Sequence, residues 1–502
     1  MKYDVIVIGA GLGGLECAYI LSRSGRKVLL LEREPHVGGC LYSYKRGAHW
    51  FDTGFHYIGG LDEGQILHSS FEYLGLLNLQ WTRLDSVFDK VVLGDRIFKF
   101  AQGYKAFVDT LASEFPSERQ ALETYAAMLK DITEHQPDAL NPDIDIPALN
   151  FRLFETNAFF RLSAHFKNPL LINVLAGTSL KMELRRDSLP LFTFAHGNAS
   201  FIESSRRLKG NGSMIAERLE QGIRGNGGTI VLQAEVEKLL DRNGRLSAVK
   251  CRNGEVYEGN VVISDVHPAV TLGWLQDSPL VKNVYRRRIT ELENTFGMFT
   301  VSLVLKPGTI EYRNFNYYVY ADENVWTFYE NNRPVKGILV SWRVPEDGSR
   351  YATQIDLLTP MAWSACRKWE NTISGRRGGE YEEMKCRMAD ECITLAERVI
   401  PGLRSAVTAC YTGTPLTFRD YTLTPRGSAY GVRKDCRHPL TTFLSVRTPV
   451  PGLFLTGQNL MLHGLQGVTM TALLTCAEIM GKKAIWKIVN KNGTVNSADA
   501  TI

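Results

Sequence analysis

The sequence predicts an α/β fold: a Rossmann-type domain with a β-meander, plus a discontinuous α+β domain with a mixed sheet and a helical insertion. Three features near the N-terminus carry the first part. Val5-Ile6-Val7-Ile8 is a continuous apolar run of the kind that buried parallel strands show. Gly9-x-Gly11-x-x-Gly14 follows at once and opens a helical stretch from about Gly11 to Ser24. Lys27 to Glu32 is a second apolar run, closing on a carboxylate. Strand, glycine turn, helix and strand in that order make a dinucleotide-binding βαβ unit.

Each glycine has a task there. Gly9 makes the tight turn, Gly11 lets the backbone approach a pyrophosphate, and Gly14 lets the helix pack on the strand. The helix start, at Leu12 and Gly13, offers unpaired N–H groups to the anion. Glu32 stands about 20 residues on, where a carboxylate binds a ribose hydroxyl pair and would repel a 2′-phosphate. That leaves NAD or FAD.

Gly38-Gly39, just beyond Glu32, tips the choice to FAD. The stretch from Arg33 to Cys40 resembles the segment that follows the second strand in flavoproteins similar to amine oxidases and carotenoid desaturases. Phe51-Asp52-Thr53-Gly54-Phe55-His56-Tyr57-Ile58-Gly59 resembles a stretch of retinol saturases and carotenoid isomerases. Thr412-Gly413-Thr414-Pro415-Leu416-Thr417 and Pro425-Arg426-Gly427-Ser428-Ala429-Tyr430-Gly431 are similar to two further stretches of retinol saturases. On these motifs the chain resembles the FAD-dependent phytoene desaturase, carotenoid isomerase and retinol saturase family. That family lies within the amine-oxidase-like flavoproteins, and the resemblance covers nearly the whole chain.

The resemblance implies more of the cofactor site. Arg33, Gly38, Gly39 and Cys40 would lie against the cofactor, and Val236 would lend its backbone to the adenine. Gly457 and Gln458 would carry the flavin in the last turn. A helix starting near Gly467 and Val468 would point its N-terminus at the isoalloxazine C2 carbonyl, where a reduced flavin places negative charge. Gln458 or Asn459 stands where relatives often have Asp or Glu.

Composition bounds the rest. The chain has 502 residues, 44% hydrophobic and 22% charged, with a net charge of +5 and no block of like charge. Nucleic-acid binding is not indicated, since no basic stripe interleaved with aromatics stands out. Nine cysteines form no CxxC pair and read as reduced thiols. No HExxH or carboxylate cluster points to a metal. Only Met1, Lys2 and Tyr3 precede the first strand, and no uncharged apolar run reaches transmembrane length. A cytoplasmic protein is expected, with contact at a membrane surface left open.

Along the chain, residues 1–80, 205–275 and 441–485 read as the FAD-binding domain, 81–204 and 276–440 as the substrate-binding domain, and 486–502 as a polar tail. Helical periodicity covers Ala106 to Leu111, Glu118 to Ile132 and Phe151 to Leu162, and a long helix runs from Tyr381 to Ile400. The aromatic stretch from Phe154 to Leu180 reads as either a buried helical subdomain or a greasy, membrane-dipping surface.

The resemblance implies action on carbon–carbon double bonds of an apolar polyene or isoprenoid: saturation, with isomerisation or desaturation as alternatives. Amine oxidation and flavin binding without turnover are further readings. Saturation needs a proton donor for the carbon that does not receive hydride. His56, Tyr57, His463 and Tyr430 are the candidates, each with a plain packing role as the alternative. No second glycine fingerprint follows a strand, so the electron donor or acceptor is not a nicotinamide held in a domain of its own.

Overall fold

The computed structural model describes residues 2–144, 148–329 and 334–490. Lys2–Ile8 lies parallel to Val28–Leu31 on one side and to Val256–Ser264 on the other, with Val5 opposite both Val28 and Val261. Thr229–Val231 and Leu453–Leu455 extend the parallel array at its two edges. Val236–Arg242 and Arg245–Cys251 fold back as an antiparallel meander onto the first part of Val256–Ser264. Strand alternation sorts the apolar run between two layers. Val5 and Val7 pack towards the helices Leu12–Arg23, Ser213–Gly225 and Gly464–Met480, whereas Ile6 and Ile8 pack with Leu239, Leu246 and Val249 of the meander.

The second sheet has seven strands in the order Val407–Gly413, Gly297–Leu305, Gln354–Met361, Gly337–Trp342, Asn316–Tyr320, Val87–Leu93 and Arg96–Ala101. It is mixed, because Asn316–Tyr320 runs parallel to Val87–Leu93 while its other pairings are antiparallel. Val301, Leu303, Ile338 and Val340 pack with Met388 and Cys392 of the helix Gly379–Glu397. Tyr318, Tyr320, Leu339 and Leu358 belong instead to a core shared with the helices between 104 and 203. A three-stranded sheet of Ile58–Gly59, Ser205–Leu208 and Trp81–Arg83 lies in the chain between the two systems.

Local details depart from the sequence reading in three places. The helix expected over Phe151 to Leu162 is two helices, Ala148–Glu155 and Ala158–His165, because the Asn157 side chain accepts from the Phe160 N–H and starts a new helix. The last long helix begins at Gly464, ahead of Gly467 and Val468. The polar tail expected from 486 is helical at its start: Lys482–Val489 buries Ile485 and Ile488 against the core that the last long helix also enters. Residues 491–502 lie outside the described residues. Much of the Phe154 to Leu180 stretch is core, including Leu162, Phe166, Leu171 and Val174, while Phe151 and Phe160 are exposed. Among the described residues, no helix is long and apolar enough to cross a membrane.

One buried charge site marks the contact between the first and last long helices. Glu16 is fully buried, and its Oε1 accepts from the Thr469 hydroxyl at 2.8 Å while Oε2 has no partner. Burial pushes its carboxyl up to about 8, with the Asp265 charge adding to the rise against the Thr469 hydrogen bond. A carboxyl raised in this way stays protonated in the fold after it has ionised in the unfolded chain, so stability falls as pH rises from about 4.5 to about 8. We expect Glu16→Gln to remove that slope and to stabilise the protein by about 4 kcal/mol at pH 8, with little effect at pH 4.5. Thermal melts at the two pH values check this; equal effects at both would refute the buried, protonated carboxyl.

Candidate functional site

The glycine turn is packed to backbone contact. Gly9 adopts φ +93°, a left-handed conformation that side chains disfavour. A Cβ on Gly14 would strike the Gly9 carbonyl oxygen, and one on Gly13 would sit 3.0 Å from Gly457 Cα. A Cβ on Gly11 would meet the Asp265 carboxylate. The helix that follows has no N-cap side-chain hydrogen bond and no acidic residue in its first turn, and apart from the Gly14 N–H, which Asp265 accepts, its N-terminal N–H groups are left for an anion.

Glu32 closes the other side of the turn. Its Oε2 accepts from the Ala10 N–H at 2.7 Å and its Oε1 from the Glu34 N–H at 2.8 Å. Burial raises its carboxyl despite those two bonds. Asp265, at the C-terminal end of the Val256–Ser264 strand, escaped the sequence reading. Burial pushes it up to about 7, against a hydrogen bond from the Gly14 backbone. Its signal was position: ligands of parallel sheets bind beyond the carboxyl ends of the strands.

A cavity of about 1110 Å³ opens from this turn. Gly9, Gly11, Leu12 and Gly13 of the first turn line it, with Glu32, Arg33, Gly38, Gly39 and Cys40 of the next loop, Val236 of the meander, and Gln458 and Val468 of the last turn. Gly14, Gly457 and Gly467 stand behind that wall as packing positions. A Cβ on Gly457 would strike Asp265, and one on Gly467 would strike the Leu462 carbonyl. Burial pushes the Cys40 thiol up to about 11, which keeps it un-ionised. The same cavity reaches Met298, Thr300 and Leu358 of the second sheet and Ala389 and Ile393 of the helix behind it. The glycine cradle therefore shares one space with an apolar wall.

The four proton-donor candidates separate. Tyr57 is buried away from the cavity, its hydroxyl donating to Asp89 at 2.8 Å and sharing a 2.7 Å hydrogen bond with Tyr318. His463 occupies the N-cap position of Gly464–Met480 without a side-chain capping bond, donates from Nε2 to the Lys181 carbonyl at 2.7 Å and packs at a tilt on Tyr430, ring centroids 4.3 Å apart. Burial holds its imidazole down at about 4. Neither Tyr57 nor His463 lines the cavity, which corrects their expected places beside it. Tyr430 does line it, with its hydroxyl 3.4 Å from the Leu180 carbonyl. His56 lines it too, and its Nε2 is buried without a partner.

Lys434 also escaped the sequence reading. Its buried Nζ donates to the carbonyls of Thr442, Asn459 and Leu460 at 2.7–2.9 Å, clamping the turn after Gln458. Burial holds it down at about 7. Among the described residues no group of His, Cys, Asp and Glu is placed to hold a metal ion.

The comparisons agree with this geometry. The family model described as flavin containing amine oxidoreductase matches residues 12–480. All-trans-retinol 13,14-reductase of Homo sapiens is 26% identical over 99% of this chain and 88% of its own length. Prolycopene isomerase 2, chloroplastic, of an Oncidium hybrid cultivar is 24% identical over 91% of this chain and 80% of its own length. Among solved structures, an oxidoreductase from Methanosarcina mazei matches with a TM-score of 0.63 at 18% identity, covering 96% of this chain and all of that one. A cradle with no room for side chains, opening into a cavity shared with a second sheet, is thus the site of a member of the flavin containing amine oxidoreductase family.

Proposed function

We propose that this chain is an FAD-dependent oxidoreductase that reduces a carbon–carbon double bond of an apolar polyene or isoprenoid. The observation that carries the reading is the cavity itself, in which the glycine cradle and the apolar residues Met298, Leu358 and Ile393 share one wall. FAD is the flavin that suits the cradle. Glu32 and the helix N-terminus answer an adenosine ribose and a pyrophosphate, neither of which FMN has.

A flavin bound there would supply a hydride. The chain supplies the rest. Glu32, held by two backbone N–H groups, would present its carboxylate to the ribose, and the start of the Leu12–Arg23 helix would hold the pyrophosphate. The start of the Gly464–Met480 helix, through Gly464, Leu465 and Val468, meets the cavity where negative charge on the flavin would be stabilised. Lys434 keeps that turn in place by holding the Asn459 and Leu460 carbonyls. The carbon that does not receive hydride needs a proton donor beside it, and His56 is the cavity-lining candidate with a free ring nitrogen. His463 and Tyr430 support the wall from behind and within it.

The relatives' names, a reductase of retinol and an isomerase of prolycopene, favour a polyene over an amine. Product mass tests this. The holoprotein, reduced without oxygen and mixed with retinol and a panel of polyenes, is expected to give a product heavier by two hydrogens as the flavin re-oxidises. An unchanged mass with a new retention time would mean isomerisation, and no reaction across the panel would sink the polyene reading. A second test addresses the cradle. Gly11→Val places a branched side chain against Asp265 and the anion path, and is expected to abolish bound flavin; a stoichiometric flavin spectrum in that variant would refute the site.

A further inference from the structure

A small void of about 10 Å³, room for one water-sized oxygen, lies beside the large cavity. Asp52, His56, Arg207, Trp342, Arg343 and Asp356 line it. Two of these, Asp52 and His56, line the large cavity as well. Half-exposed Gly210 and Asn211 also line it and lead towards the surface.

The charges around the void are matched among themselves. Arg343 pairs with Asp52 at 2.9 Å and lies 3.6 Å from Asp356. Asp356 also accepts from the Ser302 hydroxyl at 2.7 Å, and Asp52 from the Ser43 hydroxyl and the Gly212 N–H at 2.6 and 2.7 Å. Arg207 donates to the Tyr312 hydroxyl at 3.1 Å and to Asn316 at 2.6 Å. What no protein group meets by a hydrogen bond is a set of buried nitrogens: His56 Nε2, Arg207 Nε, Trp342 Nε1 and Arg343 Nε, together with Arg343 Nη2, which has only its ion-pair contacts with Asp52 and Asp356. An unmet buried donor costs about 1–3 kcal/mol, so several around one void need a common answer. A single oxygen answers two of those donors and the imidazole nitrogen. A water accepts two N–H bonds and donates its own hydrogens to a carboxylate and to an imidazole nitrogen.

We propose that this void is an ordered-water site and that through it His56 regains the proton it gives to substrate in the large cavity. The proposal rests on the reduction of a double bond argued above. Reduction takes a hydride from the cofactor and one proton. With Nε2 accepting from the void's water, the neutral His56 ring carries its proton on Nδ1 and gives it to the carbon next to the one that received hydride, as the water gives a proton to Nε2. The hydroxide left in the void takes a proton from solvent by way of the Asn211 side and the ring reverts to its Nδ1–H form before the next turnover, so no electron moves in this relay. The charges facing His56 set its readiness. Burial disfavours the imidazolium, Asp356 and Asp52 favour it, and Arg343 and Arg207 oppose it.

The test uses the holoprotein labelled with ¹³C at histidine Cε1, the His56 signal being assigned by its loss in His56→Gln. Asp356→Asn is expected to lower the His56 titration midpoint, because it removes a charge that favours the imidazolium; an unmoved midpoint overturns the relay. A crystal structure is expected to show an ordered oxygen within hydrogen-bonding distance of at least two of those buried nitrogens, and a dry void overturns the site. Trp342→Phe keeps the ring, removes one donor and guards against misfolding of Asp356→Asn. It is expected to enlarge the solvent deuterium isotope effect on product formation, and an unchanged effect counts against the relay. His56→Gln is expected to keep bound flavin and slow product formation about a hundredfold. Wild-type protein that turns over no polyene would defeat the proposed function, whereas normal turnover in His56→Gln would defeat His56 as the donor, and the relay with it, and leave the double-bond reduction standing.

Discussion

Everything in the site depends on a close approach of backbones at the carboxyl ends of three parallel strands. Gly9 to Gly14, Asp265 and Gly457 meet with no space for a Cβ at Gly11, Gly13, Gly14 or Gly457. That contact joins segments that lie far apart in the chain. It puts the N-terminus of one helix beside the turn that begins another, and it fixes where an extended cofactor can lie. A branched side chain at Gly13 or Gly14 would push backbone segments apart, whereas at Gly11 or Gly457 it would first displace the Asp265 carboxylate.

Around that contact the molecule buries groups that dislike burial. Glu16, Asp265 and Glu32 are all raised by desolvation, and Lys434 is lowered by it. Lys434 is held by three carbonyls, which is how a buried ammonium is tolerated. Arg343, between Asp52 and Asp356, is a second such arrangement, at the end of a central strand of the second sheet. These buried charges border the cavity or the turns that shape it, so charge sits where the chemistry needs orientation while apolar side chains form the remaining wall.

The first βαβ unit was legible because its evidence is local: apolar runs, glycines at fixed spacing and a carboxylate at a strand end. The strands Gly297–Leu305 and Gly337–Trp342 and the helix Gly379–Glu397 were legible for the same reason. Asp265 and Lys434 were not, because a lone Asp or Lys in a sequence carries no sign of what will surround it. The break at Asn157 shows a local signal of the other kind, a capping residue inside a run whose periodicity masked it. Tyr57 and His463 show why neighbouring residues differ in role. Tyr57 and His56 are adjacent in the chain, yet one hydroxyl is tied to Asp89 and Tyr318 while the other ring lines the cavity.

By itself the sequence determined the α/β class, the dinucleotide turn and the family resemblance, since each rests on residues within reach of one another along the chain. Only the tertiary structure decided which candidates share a space. His56 and Tyr430 come to the cavity wall, His463 goes behind it, and Asp52, Arg207, Arg343 and Asp356 gather from separate strands around one small void. The physical reason is that period-2 and period-3.6 patterns say which face of an element is apolar, whereas the partner of a buried polar group is chosen by sheet order and register.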